Sequence, residues 1–136
     1  MKFPPFEFGI VIRISKGVHT CFGPGVRELL QLTHQTGSLR AASIQMKMSY
    51  SKAFNLIKKS ESLLGFPLLT RQIGGVGGGY SRLTERAHWI LDQYIKMEQE
   101  TMLFLKAYLD EHFAEPLDEH ANEQTQKQSN TTILSF

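Results

Sequence analysis

Residues 37–71 read GSLRAASIQMKMSYSKAFNLIKKSESLLGFPLLTR. This stretch holds two short helices and a tight break between them. Ser38 stands where a side-chain oxygen can cap the first helix. Ala41 and Ala42 are small and permit close approach of another helix. Lys47 and Met48 form the break. Ser49 can cap the second helix, which Gly65 and Pro67 stop. On that helix Ala53, Ile57, Ser60 and Leu64 recur at the spacing of one buried face. Lys52, Asn55 and Lys59 share the opposite face, which is cationic and able to hydrogen-bond. Two helices so arranged are a helix-turn-helix.

Outward from this pair, LLTRQI and YSRLT read as strands around a glycine-rich tip, residues 74–79. A hairpin there makes the motif winged. The glycines do not fit a dinucleotide fingerprint, because Tyr80 stands where its last glycine should fall. They do not fit a P-loop either, because no Gly-Lys-Ser/Thr follows. Thr84 can cap a long helix over about residues 84–112, with Glu85 in its first turn, where negative charge suits the helix dipole. On the N-terminal side, FEFGIVIRI (residues 6–14) reads as a strand and SKGVHTCFG as turn and loop. GPGVRELLQLTHQTG opens a helix with Pro24 and ends it at Gly37. Its buried stripe is Val26, Leu29, Leu30 and Thr33.

Charge is unevenly spread along the 136 residues. The net charge is only +2, yet Arg40, Lys47, Lys52, Lys58, Lys59, Arg71 and Arg82 face a single acid, Glu61, across residues 40–82. Residues 98–123 carry eight acids and one base, Lys106. A basic middle points to an anionic partner. The single cysteine, Cys21, excludes an internal disulfide and zinc sites built on paired cysteines. No signal pattern or membrane-length apolar run is present, so a cytoplasmic protein is expected. No carboxylate pair and no Ser/His/Asp set stands out, so no enzyme, no catalytic residue and no cofactor is expected; His34, His88 and His112 read as structural or surface residues.

The segment from Gly37 to Arg71 resembles the winged helix-turn-helix of LysR-type regulators, with Leu64-Gly65-Phe66-Pro67-Leu68 as the specific marker. Over roughly residues 8–109 the chain is similar to the N-terminal domain of the ModE-type, molybdate-responsive regulators. Four features carry that likeness: the strand at 8–14, Gly37-Ser38, Ser49-Tyr50, and the glycine-rich wing before Leu83-Thr84. There are departures. Ser43 replaces an alanine, Ala87 replaces a helix glycine, and Lys47 stands at the turn glycine, where it would need a positive φ or a different turn. The 136 residues contain no counterpart of the oxyanion-binding domains of that family, so no molybdate pocket is expected.

The fold class expected is mainly α with a small β wing: a winged helix-turn-helix over residues 1–83, a long dimerisation helix over 84–113, and a polar tail over 114–136. The expected partner is double-stranded DNA with a palindromic operator, bound by a homodimer that regulates transcription; any effector stays open. Expected DNA contacts are Ser38, Arg40, Ser49, Tyr50, Ser51, Lys52, Asn55, Lys59, Arg71, Gly77, Gly78 and Arg82. Asn55 is the candidate base reader, because its amide pairs two-pronged with adenine. Expected dimer contacts are Trp89, Ile90, Tyr94, Met97, Leu103, Phe104 and Tyr108, which widen the apolar stripe of the last helix beyond what one small domain would bury. Two other readings stay open: a winged-helix module that binds protein, and a ligand sensor without direct operator reading.

Overall fold

Capping hydroxyls, one proline and two left-handed glycines set most of the helix ends. The structure, a computed structural model, describes residues 8–72 and 80–113. Helix α1, Pro24–Thr36, starts with proline and ends at Gly37, whose φ of 75° is left-handed. The Gly37 N–H closes the last turn on the Thr33 carbonyl at 2.7 Å. Helix α2, Leu39–Gln45, is capped by Ser38, whose Oγ accepts the Ala41 N–H at 3.0 Å. Helix α3, Tyr50–Leu64, is capped by Ser49, which accepts the Lys52 N–H at 3.1 Å, and ends at Gly65 with φ 86°. Helix α4, Glu85–His112, begins after Thr84, whose hydroxyl accepts the Ala87 N–H and donates to the Pro67 carbonyl.

The break between α2 and α3 is a left-handed turn. Lys47 has φ 56°, the one positive φ on a non-glycine residue among the described residues. The Met48 N–H then reaches back to the Ser43 carbonyl at 3.0 Å. Of the two outcomes open to Lys47 at the turn-glycine position, a positive φ or a different turn, it adopts the positive φ.

Strands β3, Leu69–Gln72, and β4, Tyr80–Leu83, pair antiparallel with Leu69 opposite Leu83 and Gln72 opposite Tyr80. Glu61 holds the approach to this hairpin. One of its carboxylate oxygens accepts the Leu68 and Leu69 N–H groups at 2.7 and 3.3 Å, and the other pairs with Lys58 at 3.3 Å. The lone acid of the basic stretch is therefore a loop clamp.

The N-terminal region differs from the sequence reading. Residues 8–13 form no strand; β1, Ile14–Lys16, and β2, His19–Phe22, form a hairpin where turn and loop were expected. β-branched residues favour extended backbone, but a strand needs a partner. Gly17, at φ 63°, turns the chain so that segment 14–16 finds one in 19–22. Cys21 and Phe22 anchor that strand by being buried.

By its internal contacts the chain divides into two units, Val11–Glu98 and a second one whose described residues are 8–10 and 99–113. The core of the first unit gathers Phe22, Leu29, Leu30, Leu39, Ala42, Ala53, Ile57, Leu68, Leu83, Ala87, Leu91 and Tyr94. Ala42 and Ala53 are both fully buried where α2 meets α3. The Phe22 and Tyr94 rings pack at 5.0 Å, and the Tyr94 hydroxyl donates to the Ile12 carbonyl at 2.5 Å. Burial first, and the Glu98 carboxylate second, push the Tyr94 phenol above its ordinary pKa, which favours the protonated donor. No described helix is long and apolar enough to cross a membrane.

Candidate nucleic-acid interface

Helix α3 turns its core residues Ala53, Ile57 and Ser60 inwards. At 3.6 residues per turn, Lys52, Asn55 and Lys59 fall within about 60° of each other on its outer side. All three are exposed, as is Ser51. The Ser49 and Ser38 hydroxyls accept the cap bonds of α3 and α2, which sets the direction in which each helix starts.

A cluster of arginines and aromatic rings joins α2, α3 and the wing. The Arg40 guanidinium lies 4.4 Å from the Tyr50 ring centre. Arg71, on β3, donates to the Tyr50 hydroxyl at 2.8 Å and stacks on the Phe54 ring at 4.3 Å. Lys58 approaches Phe54 from 5.5 Å. Cations over ring faces are attracted by the ring quadrupole, so Arg71 is held against the N-terminal half of α3. Phe54 was absent from the sequence reading; its spacing of four from Tyr50 was the available signal. Arg82, on β4, is exposed and lies 5.2 Å from the Tyr80 ring. The Ser81 N–H donates to the Gly37 carbonyl at 2.9 Å and ties the wing to the α1–α2 junction. Gly77 and Gly78 lie outside the described residues.

The expected dimer residues of α4 separate into two groups. In the first unit Ile90 and Tyr94 are 7% and 1% exposed. They fill the core of their own chain, so a partner could not reach them in this arrangement. Met97 is half-buried, while Trp89 is 58% exposed. In the second unit Leu103, Phe104 and Tyr108 are 70%, 69% and 44% exposed. Among the described residues no group of three His, Cys, Asp or Glu side chains could hold a metal ion.

Residues 28–88 match the model of the bacterial regulatory helix-turn-helix proteins of the lysR family. Over these residues the chain carries the pattern of a LysR-type helix-turn-helix. They run from the first turns of α1, through the turn at Lys47 and the wing, into the start of α4. Two curated relatives overlap this region. The Transcriptional regulator ModE of Haemophilus influenzae is 34% identical over 71 residues, which are 52% of this chain and 28% of the relative. The Molybdenum transport protein ModE of Herbaspirillum seropedicae is 32% identical over 77 residues, 57% of this chain and 29% of the relative. The chain thus spans under a third of the length of these relatives. Among solved structures, that of ArgP from Mycobacterium tuberculosis superposes with a TM-score of 0.45 at 23% identity, covering 67% of this chain and 30% of that one. The relatives sharing the domain carry regulator and transport titles.

Proposed function

We propose that this protein binds double-stranded DNA as a dimeric transcriptional regulator, with α3 in the major groove and the β3–β4 wing on the backbone. The observation that carries the proposal is the exposed Lys52–Asn55–Lys59 face of a capped α3, flanked by an arginine of the wing. An α-helix fits the major groove of B-DNA, and the N-terminal part of a recognition helix meets the base edges. Asn55 reads adenine, Lys52 and Lys59 hold phosphates, and Ser51 lies beside the groove edge. Tyr50 accepts from Arg71 and so sets the direction in which that guanidinium meets the backbone. Arg40, Arg71 and Arg82 supply charge along the flank.

A second copy of the chain covers the exposed apolar side chains of α4, above all Trp89, Leu103, Phe104 and Tyr108. Closed twofold symmetry is the commonest outcome for such self-association. It presents two copies of α3 to two half-sites and so implies an inverted-repeat operator. The titles of the relatives, a regulator in one case, agree with this reading. The test is the affinity of the chain for duplex DNA at rising salt. Steeply falling affinity is expected, because lysine and arginine displace counterions from phosphates. A protein with no affinity for any duplex at low salt would refute the proposal.

A further inference from the structure

We infer that the β1–β2 hairpin is a second cationic flank that grips the DNA backbone beside the C-terminal half of α3. This rests on the DNA reading proposed above and extends it to residues outside the helix-turn-helix.

The charge of this hairpin is one-sided. Residues 8–27 contain Arg13, Lys16, His19 and Arg27, and no acid. Arg27 is occupied by Glu98 at 3.1 Å. Among the described residues, no ion pair involves Arg13, Lys16 or Lys59. Lys16 and His19 stand opposite each other beside the Gly17–Val18 turn, all of them exposed. The loop end of the hairpin therefore exposes the positive charge of Lys16 with no acid beside it.

The hairpin is also fixed to the recognition helix. The Ser60 hydroxyl of α3 donates to the Cys21 carbonyl of β2, and Cys21 and Phe22 are buried. The Tyr94 bond to the Ile12 carbonyl holds the segment that leads into β1. The position of Arg13 follows from these anchors. It shares with Lys59, Leu56 and Thr20 the lining of a recess of about 330 Å³. Lys59 belongs to the same outer face of α3 as Lys52 and Asn55, so the recess opens at the edge of the proposed interface.

Dimensions then determine what that edge meets. The 15 residues of α3 span about 22 Å at a rise of about 1.5 Å per residue. The major groove is only about 12 Å wide. If α3 enters the groove N-terminus first, its C-terminal half extends beyond that width toward a phosphate strand. Arg71 of the wing contacts Tyr50 and Phe54 in the first turns of α3; near its end Glu61 accepts the Leu69 N–H of β3, and Ser60 donates to the hairpin. Arg13, which lines the recess with Lys59, is therefore placed to meet that strand, and Lys16 extends the same charge along the exposed hairpin, where they add affinity for any duplex without reading its sequence.

The test compares the full chain with Arg13→Gln/Lys16→Gln on a random-sequence duplex between 50 and 200 mM salt. Each phosphate contact contributes about 0.9 to the slope of log affinity against log salt. Losing two should flatten the slope by about 1.8, so over this range the parent should lose about twelvefold more affinity than the variant. An equally steep slope in both proteins would overturn the inference and leave the DNA reading standing. A parent that binds no duplex would instead sink the DNA reading itself. If the double variant melts below the parent, Lys16→Gln alone, at an exposed strand end, should still flatten the slope by about 0.9; no flattening there would equally overturn the inference.

Discussion

Replacing Tyr50 by phenylalanine removes one oxygen and leaves the ring that Arg40 covers at 4.4 Å. The lost oxygen accepts the Arg71 guanidinium at 2.8 Å. Arg71 would keep its stack on Phe54 at 4.3 Å but lose the bond that fixes its direction. A hydrogen bond to a charged donor contributes about 1.5–3 kcal/mol, and an exposed one such as this less, so about 0.5–1 kcal/mol is the reasonable expectation. The variant should therefore bind duplex DNA about two- to fivefold more weakly. Arg71→Ala should cost more and should flatten the salt slope by about one unit, because a phosphate contact itself is gone. The two effects should not add. In the Arg71→Ala background Tyr50 has no guanidinium to position, so Tyr50→Phe should then change little. Fluorescence anisotropy with a labelled duplex, run on the parent, both single variants and the double variant, measures this coupling. Fully additive losses would show that Tyr50 acts on DNA by itself and would refute the positioning role.

Asn55→Ala should change preference at one base pair by about 1–3 kcal/mol, read by competition among duplexes that differ at single positions; identical preferences would remove Asn55 as base reader. Phe104→Asp should shift sedimentation from dimer to monomer and weaken binding to a two-half-site duplex far more than to a random one, since one half-site loses the avidity of two. Glu61→Ala should lower unfolding stability by about 2–4 kcal/mol in denaturant titration, because the Leu68 and Leu69 N–H groups lose their acceptor, whereas Glu61→Gln should lose roughly half as much. Lys47→Gly should raise stability by about 0.5–1 kcal/mol, as relief of a left-handed cost of about 1–2 kcal/mol exceeds the added chain entropy.

The helix-turn-helix was legible because its signals are local. Ser38, Ser49, Gly37, Gly65 and Thr84 mark helix ends through side chains and φ values that act within a few residues, and each does so here. The buried stripe of α1 was legible for the same reason, since periodicity selects Val26, Leu29, Leu30 and Thr33. Three features depend on distant partners. The β-branched run before Ile14 signals extended backbone but does not name the strand it pairs with, so the hairpin at 14–22 was misplaced. The apolar residues of α4 surround much of the helix, and the sequence does not say that Ile90 and Tyr94 take the inner side. The arginine–aromatic cluster needs α2, α3 and β3 in place before Arg40, Tyr50, Phe54 and Arg71 become neighbours.

The most direct test of DNA recognition is recovery and sequencing of the genomic fragments that the purified chain retains. The account predicts enrichment of an inverted repeat whose half-site centres lie about 34 Å apart along the duplex, or a multiple of it, as two symmetry-related copies of α3 require. Retained fragments with no shared sequence relative to the input would contradict it.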